Sequence, residues 1–74
     1  MAQFRDDKLL NQIALRLKAL REEHNLSQEE LYNDTEVHVA RIETSRVNIS
    51  VSTLSKLCEY FGITLEQFFA GIKE

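Results

Sequence analysis

The side chains able to do chemistry in this sequence are few, and most stand alone. The histidines are His24 and His38, and neither has a nucleophile or a metal-ligand pattern near it. His24 follows Glu22 and Glu23 in what reads as a turn. Cys58 is the single cysteine, so it has no partner for an internal disulfide or for zinc. Its helical spacing from Leu54, Leu57 and Phe61 reads as a core position rather than a reactive thiol. There is no glycine-rich phosphate loop, and a chain this short would struggle to enclose a catalytic pocket. Contact chemistry remains. In "NDTEVHVARIETSR", Asn33 to Arg46, the apolar Val39 and Ile42 sit one helical step apart. With those two inward, an advance of about 100° per residue turns Val37, Ala40 and Arg41 outward, flanked by Glu36 and His38. A plain surface helix carries charged residues at such positions. This one offers methyl groups, a guanidinium and an imidazole, so the face is either incidental or touches something.

The elements that would position this face must come from 74 residues, enough for one small domain spanning 1–74 with an N-terminal arm over about 1–8. Apolar content is 43% with periodic spacing, which argues against disorder. Proline is absent and the glycines are Gly62 and Gly71, too few turn residues for a short sheet protein, so an all-α fold is expected. The start "MAQFRDDKLL" is charged and unlike a signal peptide, and no stretch is long enough to span a membrane. A soluble, cytoplasmic protein is expected, with no cofactor, no metal and no small-molecule ligand. Net charge is −3, from nine basic and twelve acidic side chains, which weighs against nucleic acid because phosphate neutralisation normally supplies much of the affinity. The distribution is uneven: acids pair at Asp6-Asp7, Glu22-Glu23 and Glu29-Glu30, whereas three of the four charged residues from Arg41 to Lys56 are basic.

Five helices follow from periodicity and capping signals. The first runs from Arg5 or Lys8 to Glu23, with Leu10, Ile13, Ala14, Leu17 and Leu20 as its apolar stripe. "SQEEL" is a capping box, Ser27 with Glu30, opening a second helix from Gln28 to about Asp34 held by Leu31. Thr35 is the expected N-cap of a third helix, Glu36 to about Thr44. A start after His38, with His38 as the cap, would leave almost no helix and is the physically poorer alternative. Ser50 caps a fourth helix from Val51 to Tyr60 or Phe61, with Leu54, Leu57, Cys58 and Phe61 inward and Gly62 ending it. Thr64 and Gln67 form a second capping box before "LEQFFAGI".

Two short helices joined tightly and packed among three others make a helix-turn-helix arrangement. The segments "RLKALREEHNLSQEEL" and "ARIETSRVNISVSTLSKLCEYFGITLEQFF" together resemble the lambda-repressor-like family, the Cro/repressor type of bacterial and phage regulators, over roughly Leu10 to Phe69. The resemblance implies a compact five-helix fold with the motif formed by helices 2 and 3. It also implies a sequence-specific DNA-binding regulator, a dimeric repressor or restriction–modification controller. An antitoxin-type autoregulator, partner of a toxin, belongs to the same physical class. The rival reading is a protein-interaction module that kept the fold and lost DNA binding.

In that family the second helix crosses the DNA backbone and the third lies in the major groove. Gln28 matches the glutamine that donates to a phosphate, and a helix N-terminus favours anions in any case. Glu36, Val37 and Arg41 match base-reading positions counted back from "RIE". Val37 would pack on a thymine methyl and Arg41 would bond guanine O6/N7 or a phosphate, each worth about 1–3 kcal/mol of discrimination. Glu36 repels phosphate and can read only a cytosine amino group, which suits a first-turn acid better than a base contact. His38 either donates to a phosphate or packs beside Val39. Arg46 and Asn48 fall in the loop that reaches backbone phosphates, with Lys56 and Arg16 as weaker candidates. Arg21 and Glu43 match an ion pair that links the first and third helices, a structural role. The sequence departs from the family in being three residues shorter between "LSQEEL" and "RIE". It also lacks a glycine in the motif's turn and has Ser45 where a glycine is usual.

On the last helix, Phe68, Phe69 and Ile72 exceed what a short helix can bury against its own domain. They form an expected dimer interface, with Phe4 and Leu9 of the arm in the same patch; the alternative is that all of them cap the small core.

Overall fold

Local capping chemistry sets most of the element boundaries. The computed structural model describes residues 4–44 and 47–72. Five helices follow in order: α1 Asp7–Glu23, α2 Gln28–Thr35, α3 Val39–Glu43, α4 Val51–Phe61 and α5 Leu65–Ala70. No strand occurs among the described residues, and no helix there is long and apolar enough to cross a membrane.

Asp6 opens α1 by accepting the Leu9 N–H at 3.0 Å. Leu10, Ile13, Ala14, Leu17 and Leu20 are its buried face, as their spacing requires. The helix ends in a Schellman turn: Asn25 takes φ 55°, its N–H donates to the Glu22 carbonyl, and the Leu26 N–H donates to the Arg21 carbonyl. Asparagine is among the few non-glycine residues that enter this region readily. Beside it the His24 Nδ1 lies 2.8 Å from the Leu20 carbonyl, so Nδ1 carries the hydrogen, and the ring leans on Phe61. Both capping boxes form, Ser27 with Glu30 and Thr64 with Gln67. Ser50 caps α4, and Gly62, at φ 75°, closes it in a second Schellman turn through Ile63 N–H to the Cys58 carbonyl.

α1 packs on α3, α2 on α3 and α4, and α4 on α5. Leu17, Leu31, Val39, Leu57, Cys58 and Phe68 are the most deeply buried side chains. Burial pushes the Cys58 thiol above its ordinary range, in keeping with a core position.

Several expectations are corrected. Thr35 does not cap the third helix. It is the last residue of α2 and is buried, its Oγ1 donating to the Leu31 carbonyl at 2.7 Å and accepting the Val37 N–H at 3.2 Å. The third helix therefore does not run from Glu36 to Thr44. It is Val39–Glu43 with His38 as N-cap, the alternative set aside on sequence grounds. The helix is viable at five residues because Val39 and Ile42 both reach the core. Phe68 is not at an interface: it is fully buried, with the Arg16 guanidinium 5.7 Å from its ring centroid. Ile72 is half-buried against the core, and of the three only Phe69 remains exposed. Arg16 is occupied structurally. Its Nε donates to the Phe68 carbonyl at 3.0 Å and its Nη2 lies 3.4 Å from the Gln67 carbonyl, covering the open end of α5. A side chain on Gly71 would run into that guanidinium.

Glu36 ends α2 at φ 61°, where an L-residue with a Cβ is strained by about 1–2 kcal/mol. Its N–H donates to the Tyr32 carbonyl at 2.7 Å, the single bond of an αL cap that glycine ordinarily makes. Glu36→Gly should therefore raise unfolding stability by about 1 kcal/mol, after glycine's extra chain entropy is counted. Urea denaturation would read this as a higher midpoint at unchanged slope. A lower midpoint would show that the strain is not there.

Candidate nucleic-acid interface

The turn between α2 and α3 is built from hydrogen bonds a glycine would not need. Thr35 Oγ1 holds the Val37 N–H, and the Val37 carbonyl accepts from the Val39 N–H at 2.9 Å. The residue between, His38, has φ −77° and ψ 75°, an inverse γ-turn. Its carbonyl accepts the Arg41 N–H at 3.1 Å, and its ring stacks on Tyr32 with centroids 4.5 Å apart. From that start α3 turns Val39 and Ile42 inward and leaves Ala40, Arg41 and Thr44 exposed. The Arg41 side chain makes no ion pair with any described residue.

Beneath this surface Arg21 and Glu43 meet in a bidentate pair, Nε to Oε2 at 2.8 Å and Nη2 to Oε1 at 3.1 Å. The two side chains are only 12% and 7% exposed. Arg21 Nη1 also donates to the Leu26 carbonyl at 2.7 Å, and Gln28 Nε2 donates to Glu43 Oε1 at 3.0 Å. Burial acts against the Glu43 carboxylate. The bonds from Arg21 and Gln28 and the charges of Arg21 and Lys18 outweigh it, holding the carboxyl below its ordinary range. The hydrogen bond to Glu43 in turn holds Arg21 above its own.

Two helices, Gln28–Thr35 and Val39–Glu43, thus meet across a three-residue turn, with the second helix anchored from behind and exposed in front. A helix-turn-helix family model matches residues 17–68, more than two thirds of the chain. The chain belongs to the lambda-repressor-like, Cro/C1-type helix-turn-helix family. Searches of curated proteins and of solved structures returned no match.

Within this helix-turn-helix framework five of the residues singled out by sequence gather at one surface recess, and Gln28 stands apart from it. Gln28 is at the exposed first position of α2, turned toward Glu43. Glu36, Val37, His38, Arg41 and Asn48 share a surface recess of about 440 Å³ between the motif's turn and the loop before α4. Its inner wall is half-buried or buried and apolar: Val37, Ile42, Val47 and Ile49. Glu36 and Val37 precede α3 rather than lying on it, and Val37 packs against the core instead of pointing fully outward. Asn48 Nδ2 donates to the Phe4 carbonyl at 3.1 Å, tying the loop to the N-terminal arm. Lys56 is exposed on α4, where Tyr60 of the same helix donates to Asp34 of α2. That bond to a carboxylate pushes the Tyr60 phenol above its usual range. Arg46 lies outside the described residues.

The bond from Gln28 to Glu43 had no sequence signal. The two are 15 positions apart, and nothing in either local pattern ties them. Arg16 as a clamp on α5, 52 positions away, was equally invisible.

The lowered Glu43 value makes stability depend on pH in a defined direction. Its contribution is complete above the unfolded carboxyl value of about 4.3 and is lost as pH falls through the lower folded value. Wild type should therefore lose stability below about pH 4.3 more steeply than Glu43→Gln. Arg21→Ala at neutral pH should cost about 3–5 kcal/mol, because a buried carboxylate is left without its partner. Denaturation across a pH series checks both, and parallel pH profiles for wild type and Glu43→Gln would refute the first.

Proposed function

We propose that the protein is a sequence-specific DNA-binding regulator, a small dimeric repressor or controller that sets α3 against the major groove. Membership of the helix-turn-helix family supports the partner class. The observation that carries the reading is Arg41: an exposed guanidinium on the outward face of the motif's second helix, with no described acid paired to it. Arginine's fork fits guanine O6/N7 or a phosphate equally well, and either use requires it free in the unbound protein. Gln28 and His38 serve as further donors for backbone phosphates, with Asn48 of the loop before α4, and Arg46, in the same role. Glu43 supports Gln28 from behind, which orients that amide before DNA arrives.

The acidic total of −3 sets the character of binding. Few phosphates are neutralised per protomer, so non-specific affinity is low and discrimination rests on fit at the bases. A dimer doubles the contacts and places two recognition helices about 34–36 Å apart, one turn of DNA. The surface offered for dimerisation is an apolar groove of about 260 Å³ that includes Phe4, Leu9, Val51 and Phe69. Phe4 is 81% and Val51 73% exposed, and an apolar cluster left bare in this way is the kind of surface that marks an interface.

Selection from a random duplex pool, followed by titration across a salt series, tests the reading. Wild type should enrich a two-fold site, and Arg41→Ala should relax the preference and reduce the salt slope by about one phosphate equivalent. Sedimentation of Phe69→Asp should show a shift toward monomer together with weaker binding to the two-fold site. An absence of enrichment even at low salt would overturn the proposal in favour of a protein-interaction module or a toxin's partner.

A further inference from the structure

We infer that Ala40 discriminates bases alongside Arg41, and that Val37 is a structural residue of the turn; this rests on the DNA-binding reading proposed above. The burial pattern of α3 divides its residues cleanly. Val39 and Ile42 are in the core, the Glu43 side chain is buried on its arginine, and Ala40, Arg41 and Thr44 are exposed. Ala40 and Thr44, four residues apart, stand one above the other on the crest of the helix, with Arg41 beside them. Val37 is placed differently. Its N–H is held by Thr35, its carbonyl receives the Val39 N–H, and its side chain packs on the core. It lies in the wall of the recess beside the helix, and Ala40 and Thr44 lie outside that recess.

The major groove is itself a concavity, about 12 Å wide, that receives the convex side of a helix. Residues exposed on the outward face of the helix meet base edges first, and the half-buried Val37, packed on the core, meets them last. Ala40 has no donor or acceptor and presents one methyl group, whose complement in the groove is the 5-methyl of thymine. One thymine per half-site should therefore be specified, next to the base or phosphate engaged by Arg41.

The test repeats duplex selection with wild type, Ala40→Asn and Val37→Thr. Asparagine bonds adenine N6 and N7 in bidentate fashion. Ala40→Asn should move one position per half-site from thymine toward adenine and weaken binding to the wild-type site by about tenfold or more. Val37→Thr should leave the selected sequence unchanged while lowering the thermal midpoint. Ala40→Gln, which reads adenine in the same way, serves as a second variant should the first fold poorly. A selected sequence unmoved by either Ala40 variant, or changed by Val37→Thr, would overturn this inference and leave the DNA-binding reading standing. A wild-type pool without enrichment would overturn both.

Discussion

The buried pair of Arg21 and Glu43 joins the end of α1, the start of α2 and the end of α3 at one point, and the exposed face of the motif depends on it. A helix of five residues has no stability of its own in water, since nucleation costs more than its few bonds return. α3 therefore exists because Val39 and Ile42 are in the core and Glu43 is held at its far end. The guanidinium also satisfies the Leu26 carbonyl after α1, and the carboxylate also accepts from Gln28 at the head of α2. In net free energy such a pair is close to neutral, because desolvation of both ions offsets most of their attraction. Its contribution is geometric: it fixes which side of α3 faces out.

The three-residue link between α2 and α3 concentrates the backbone compromises of the molecule. Glu36 in the left-handed region and His38 in an inverse γ-turn let the chain reverse without a glycine. Thr35 makes the link possible. Its hydroxyl donates backward to the Leu31 carbonyl, which α2 already uses, and accepts forward from the Val37 N–H, so both ends of the hydroxyl and the one orphan amide of a buried corner are satisfied. Valine would fill the same space and leave the Val37 N–H unanswered.

The two ends of the domain use their surfaces differently. The motif's outward face is polar and sparsely charged, with Arg41 prominent, whereas Phe4, Leu9, Val51 and Phe69 gather along an apolar groove on the side of α4's start and α5. Arg16 keeps the short α5 in register by bonding its last carbonyls and lying over Phe68, so the phenylalanine is held in and its neighbour Phe69 is left out.

The sequence by itself determined every helix that carries its own start and stop signals. The stripe of α1, the Ser27 and Thr64 capping boxes, Ser50 as a cap and Gly62 as a stop all act within four or five residues, a range that local pattern can express. The resemblance pointed to the arginine–glutamate pair and to the family. Tertiary structure decided the site. Thr35 looked like a cap because threonine favours caps, but its methyl and hydroxyl were worth more buried at the corner than exposed at a helix start. Moving the start of α3 to Val39 took Glu36 and Val37 off the helix and put Ala40 on its crest. Phe68 and Phe69 are indistinguishable as letters, and only the packing of α5 against α1 and α4 placed one inside and one out. Such choices depend on partners many positions away, and the burial they achieve exceeds any local preference of about 1 kcal/mol per residue.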